Sequence, residues 1–165
     1  MGAKSALSVE QYLHTSFPDL DKEYRDGDLV ERSLPTYSHS KTQYLLLLFF
    51  GSLSKALAVH PCPELRLKLR TGLYLIPDIA VFHGPEPPEV PDYPPLVAIE
   101  ILSPDDRLDA VTEKLEEYRA WGVAHTWAVD PIARHFYNYA GTMNQVAELR
   151  LPELGIELTP AVLFN

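Results

Sequence analysis

Residues 96–102 read LVAIEIL, six apolar side chains around a single carboxylate, Glu100. Proline flanks the run on both sides, at Pro94, Pro95 and Pro104. A short apolar stretch bounded in this way reads as a strand buried on both faces. Alternation sends Leu96, Ala98, Glu100 and Leu102 to one face and Val97, Ile99 and Ile101 to the other. An ionised carboxylate in such a strand is costly unless it is paired or binds a metal. Glu100 therefore either bridges an arginine or lysine, or lies where the strand meets a cleft.

A second strand carries the same anomaly. Residues 77–82 read PDIAVF, with Asp78 leading four apolar residues. Between the two acids lies GPEPPEVPDYPP, residues 84–95, a proline-rich surface loop with no periodicity. Sequential strands usually pair or lie close in a sheet. Placed side by side, Asp78 and Glu100 repel unless a cation joins them. Mg²⁺ and similar hard cations take one or two carboxylates and complete their shell with water and substrate phosphate.

A helix follows, expected over 110–121, with Asp109 as its cap and Gly122 as its stop. Leu108, Val111, Leu115, Tyr118 and Gly122 recur at helical spacing and mark its buried stripe. Lys114 falls on the flank of that stripe and leans toward the sheet that holds Glu100. Glu113, Glu116 and Glu117 are read as pointing to solvent. Read by itself, Lys114 serves equally well as a lysine whose stem covers apolar surface.

Ahead of these elements, Ser8 and Gln11 form a capping-box pattern, so a short helix opens near residue 9. Asp26-Gly27 is a two-residue hairpin turn joining strands near 22–25 and 28–33. Glu23 begins that hairpin and reads as a solvated strand end. Ser38 can cap a long helix at about 39–59, and His39 at its start reads as a capping or packing residue. ELRLKLR, residues 64–70, alternates, with Leu65, Leu67 and Leu69 inward and Arg66, Lys68 and Arg70 outward. After a turn at Thr71-Gly72, one strand is expected over 73–82. Further strands are expected at 125–130 and 134–140, with short ones in 146–165. The order is a mixed α/β domain around one sheet, a single domain over 1–165.

Bulk properties bound the function. The chain has 165 residues with 46% apolar and 22% charged content, an ordinary globular composition. One cysteine, Cys62, leaves no internal disulfide framework and fits a reducing compartment, so the expected location is cytoplasmic. The MGAKSALSVEQ stretch lacks the apolar core of a signal peptide. The longest apolar run, YLLLLFF at 44–50, is too short to span a bilayer. It reads as a buried helix apolar nearly all round, for which a homodimer partner is one source of cover. The net charge of −9 disfavours a general nucleic-acid coat protein. It is compatible with an enzyme that meets DNA through metal ions and a local basic patch.

The residues now assembled carry a resemblance. They are Glu23 to Glu31, Pro35 with His39, Pro77 to Val81, Val97 to Pro104, and then Arg107, Asp109, Lys114, Tyr118, Gly122 and Trp127 to Pro131. In this order and spacing the chain resembles the Uma-two family of restriction-endonuclease-like proteins, in the PD-(D/E)XK nuclease superfamily. The likeness runs from about residue 7 to about residue 160. It implies a restriction-endonuclease-like three-layer α/β/α fold with a mixed central sheet and an N-terminal hairpin. It implies that Asp78 and Glu100 hold Mg²⁺ or Mn²⁺ and that Glu23 completes the acidic cluster or contacts a metal-bound water. The superfamily's motif lysine, two residues after Glu100, is replaced here by Leu102, and the following helix supplies Lys114 in its stead.

The implied activity is metal-dependent hydrolysis of DNA phosphodiester bonds, with Asp78, Glu100, Lys114 and Glu23 as the catalytic set. Arg66, Lys68 and Arg70 are candidate phosphate contacts, or simply the solvated face of a strand. The competing expectation is a nuclease-fold module that no longer cleaves and acts by binding DNA or protein. A carboxylate-pair glycosidase would need an aromatic sugar groove, whereas Trp121 and Trp127 read as core residues.

Overall fold

The computed structural model describes residues 6–18 and 21–165, so the first five residues of the amino-terminal stretch lie outside the described residues. Ser8 opens α1 (Val9–Leu13) with the expected capping box. The hairpin pairs β1 (Glu23–Arg25) with β2 (Asp28–Val30) through Asp26 and Gly27, both at positive φ as a tight hairpin requires. The long helix α2 runs Tyr37–Leu57, and its cap is Thr36, not Ser38. Thr36 keeps extended backbone and accepts from the His39 N–H, whereas Ser38 is already inside the first turn.

The central sheet has six strands in the order β10-β9-β8-β7-β6-β3, where β3 is Val59–Pro63, β6 Ile79–His83, β7 Val97–Ile101, β8 His125–Asp130, β9 His135–Tyr139 and β10 Met143–Val146. It is mixed: β7 and β8 run parallel and the other neighbours antiparallel. The parallel pair is joined by α3 (Leu108–Trp121), the crossover that parallel strands need. Two prolines hide β3 from a sequence reading, and it takes the edge position where proline is tolerated.

Alternation along β7 sorts the core into layers. Val97, Ile99 and Ile101 join Leu46 and Phe50 of α2 on one face. Ala98 joins Ala80, Ala128 and the α3 residues Leu115 and Tyr118 on the other. The fold is therefore three-layer α/β/α with a mixed central sheet. On the α2 side lie the hairpin of β11 (Leu149–Leu151) and β12 (Ile156–Leu158), and α4 (Pro160–Phe164). The run at 44–50 is not apolar-covered all round: Leu46 and Phe50 are buried, while Tyr44 and Leu48 face outward. No helix among the described residues is long and apolar enough to cross a membrane.

The strand expected over 73–82 is two strands in different sheets. β5 (Leu73–Leu75) belongs to a four-stranded sheet in the order β2-β1-β5-β4, with β4 limited to Leu67–Arg70. Pro77 cannot donate to a ladder, and the chain turns there into β6 of the central sheet. Leu67, Leu73 and Leu75 of the small sheet bury against Leu115 and Tyr118, so α3 is held between the two sheets.

Helix α3 begins two residues earlier than expected, with Arg107 at the cap and no side-chain cap bond. Asp109 sits within the first turn, where its charge suits the helix dipole. Leu108 is exposed rather than part of the stripe. The helix ends as expected at Gly122, φ 115°. Gly122→Ala is expected to cost about 1–2 kcal/mol, because a side chain at this φ is strained. Its Cβ would also come 3.4 Å from the Pro94 ring. The urea midpoint measures this loss.

Candidate functional site

The corner at Ile76-Pro77-Asp78 leaves backbone groups without a ladder, and side chains satisfy them. Ile76 N–H donates to Glu23 Oε1 at 3.0 Å, and Ile76 C=O accepts from Lys114 Nζ at 2.8 Å. These two bonds draw Glu23 and Lys114 into the same place. Glu23 is thus buried, 4% exposed, and is not the solvated strand end that its position suggested.

Asp78 arrives from the other side of the corner. The β6–β7 register pairs Ile79 with Ile99, and one further step sets Asp78 opposite Glu100 on the α3 face. Asp78 Oδ2 accepts from the Ile101 N–H at 2.7 Å and lies 3.2 Å from His39 Nε2. Its Oδ1 lies 3.1 Å from Arg32 Nη2. Burial by itself would raise this carboxyl. His39, the Lys114 charge and the Ile101 N–H outweigh burial and hold it below its ordinary value. His39 is correspondingly raised: burial opposes its charge, and Asp78 beside it prevails.

Glu100 stands near the carboxyl end of β7, where the α3 crossover begins. One of its oxygens, Oε1, accepts from Lys114 Nζ at 2.9 Å and from the Tyr118 hydroxyl at 3.2 Å. Lys114 and Tyr118 are four residues apart on α3, one turn of the same face. Lys114 also lies 2.7 Å from Glu23 Oε1. Its three N–H donors therefore meet Glu23, Glu100 and the Ile76 carbonyl. Burial disfavours the Lys114 charge, but Glu100, Glu23 and Asp78 raise its pKa and keep it cationic. Burial pushes the Glu100 carboxyl up to about 8; Asp78 and Glu23 add to the rise and Lys114 opposes it. Glu100 Oε2 receives no hydrogen bond from the described residues.

These groups line a cavity of about 530 Å³ whose wall includes Glu23, Arg32, His39, Asp78, Glu100 and Lys114. That volume is in the range of small-ligand pockets. Arg66, Lys68 and Arg70 are not in its lining. Arg70 is paired with Asp26 at 2.8 Å, and the Arg66 guanidinium sits over the Tyr12 ring at 5.2 Å. Glu117, read as solvent-facing, instead pairs with Arg25 at 2.5 Å.

The donor set suits a hard divalent cation in kind. Two carboxylates on neighbouring strands face one cavity, and Mg²⁺ typically takes one or two such ligands. Burial is the main cause of the rise at Glu100, with Asp78 and Glu23 adding to it, and a bound cation would favour the ionised form. Among the described residues no group of three or more His, Cys, Asp or Glu is placed to hold an ion. Water and a substrate oxygen would have to complete the shell.

Three contributors escaped the sequence reading. Arg32 gave no signal, being one arginine in a polar stretch after the hairpin. His39 reads from the sequence as a capping or packing residue, and the fold sets it against Asp78. Tyr118 was placed on the buried stripe, and a buried hydroxyl needs a partner, a signal that pointed to a nearby acceptor.

Comparison with known proteins adds the following. The family described as "Uma2: Putative restriction endonuclease" matches residues 9–163. A crystal structure described as a putative nuclease belonging to DUF820 from Anabaena variabilis ATCC 29413 is similar, with a TM-score of 0.78 and 23% identity. The match covers 95% of this chain and 97% of that one, and it carries the fold. No curated protein matches.

Proposed function

The chain belongs to the Uma2 family, and from that premise we propose that it is a Mg²⁺- or Mn²⁺-dependent endonuclease acting on DNA phosphodiester bonds. The observation that carries the reading is the pair Asp78 and Glu100, set across neighbouring strands in one cavity with Lys114 2.9 Å from Glu100.

Asp78 and Glu100 would hold the ion through their carboxylates. When bound, the ion supplies Lewis-acid chemistry, polarising a phosphoryl oxygen and offsetting the charge that builds during hydrolysis. Tyr118 and Lys114 fix Glu100 by Oε1, and Oε2 has no hydrogen bond among the described residues. The Ile101 N–H and His39 hold Asp78 by Oδ2, and Arg32 meets its Oδ1. Lys114 holds a positive charge where the phosphate would arrive and so stabilises the transition state electrostatically. Glu23 orients Lys114.

One observation favours a second reading, a nuclease-fold module that binds without cleaving. All three Lys114 donors are used within the protein, which leaves none for a water or a phosphate.

Plasmid nicking separates the two. Wild-type protein is expected to relax supercoiled plasmid with Mg²⁺ or Mn²⁺, to stop with EDTA and to resume when metal is restored. Asp78→Asn should abolish the activity. Plasmid left supercoiled under every metal condition, by protein that still retards DNA in a gel, would establish the binding module instead.

A further inference from the structure

Asp78 is unlike Glu100 in one respect. Both of its oxygens are engaged, and by different kinds of partner. Oδ2 is held by the Ile101 backbone N–H at 2.7 Å and by His39 at 3.2 Å. Oδ1 has one partner among the described residues, the Arg32 guanidinium at 3.1 Å. The backbone bond is fixed by the fold. The arginine is a cation at the end of a long stem with several rotatable bonds.

We propose that Arg32 is the internal counter-cation of Asp78, holding its Oδ1 in the metal-free protein and yielding it when a divalent cation enters the cavity. This deepens the reading above and rests on Asp78 being a metal ligand. Arg32 lines the cavity, and its side chain is only 11% exposed, so it stands inside the site and not at its rim. His39 serves Oδ2, and Arg32 is the cation that meets Oδ1, whose burial would be costly without a partner.

Arg32 also has somewhere to go. Its Nη1 already lies 3.8 Å from Glu64 Oε2. Glu64 is held beside Asp78 because its backbone N–H donates to the Asp78 carbonyl at 3.2 Å. An arginine displaced from Oδ1 thus keeps a carboxylate partner at the cavity mouth. The donors released from Oδ1 would then be available to a phosphate in the same cavity. Arginine and metal compete for one oxygen, so each arriving ion must displace a cation already present.

The test is calorimetric titration of MnCl₂ into EDTA-stripped wild type, R32Q and R32K, with thermal unfolding of the same samples. R32Q is expected to bind Mn²⁺ on the order of tenfold more tightly than wild type, because a buried partner charge no longer competes. Without metal its Tm should fall below that of wild type, and Mn²⁺ should raise it by more. These opposite signs separate competition from a purely structural ion pair, whose loss lowers stability and does not tighten metal binding. R32K keeps the charge and loses the fork. It should bind more tightly than wild type by a smaller factor, and it carries the test if R32Q does not fold. Variants that bind Mn²⁺ no more tightly than wild type would overturn the role of Arg32 and leave the metal reading standing. Absence of Mn²⁺ binding in wild type and variants alike would overturn both.

Discussion

Glu100→Gln should lose metal-dependent cleavage by on the order of 10³-fold and, in EDTA, gain stability relative to wild type as pH rises. The two effects have one cause. Glu100 lies in a buried cluster with Glu23 and Asp78 and has Lys114 as its one cationic contact, so burial pushes its carboxyl up to about 8, well above the ordinary value of 4.5. A folded-state pKa above the unfolded one stabilises through the protonated form. That contribution is complete below the unfolded value and is lost as pH rises through the folded value. Wild type therefore loses stability across this window, while glutamine, shaped like the neutral acid, does not. Its amide oxygen can still accept from Lys114 and Tyr118. The difference in Tm between variant and wild type should widen from about pH 5 to about pH 8.5. Plasmid nicking and a pH series of thermal melts in EDTA measure the two halves. A flat Tm difference would mean that Glu100 is ionised throughout, and cleavage at the wild-type rate would remove it from the catalytic set.

Lys114→Met should fail on both counts. Its ammonium meets Glu23 at 2.7 Å, Glu100 at 2.9 Å and the Ile76 carbonyl at 2.8 Å. Methionine keeps much of the stem's volume and removes the charge. Glu23, the Glu100 carboxyl and a corner carbonyl then lose their shared donor, which should cost about 3–5 kcal/mol in urea unfolding at neutral pH. The loss should be larger above about pH 8, where Glu100 is ionised and faces Lys114 as a carboxylate, than below it. Lys114→Arg should not restore the site, since a planar fork does not match three acceptors arranged around a compact ammonium. A neutral-pH loss below about 1 kcal/mol would place this lysine with ordinary surface ion pairs.

The contrast between these variants separates the roles of neighbouring residues. Removing Glu100's charge relieves the fold and disables the proposed chemistry, whereas removing Lys114's charge damages both.

Much of the scaffold was legible in the chain. The alternation in LVAIEIL, the Asp26-Gly27 turn, the Ser8 capping box and the Gly122 stop are local signals, and the structure follows each of them. The facing of Lys114 toward Glu100 also followed from helical spacing. The misreadings arose where a local signal met a competing one. Thr36 and Ser38 are both able caps, and backbone geometry selected Thr36. The continuous run at 73–82 concealed a change of sheet at Pro77. The prolines of β3 hid an edge strand.

The sequence by itself determined the alternation of apolar faces, the turns and the two misplaced acids, because each depends on neighbours within a few residues. Tertiary structure alone decided that Glu23 is buried, that Arg32 and His39 close on Asp78, and that Lys114 spends all three donors inside the protein. Those outcomes depend on a corner where two sheets part, and on unpaired backbone groups there that recruit charged side chains from distant parts of the chain.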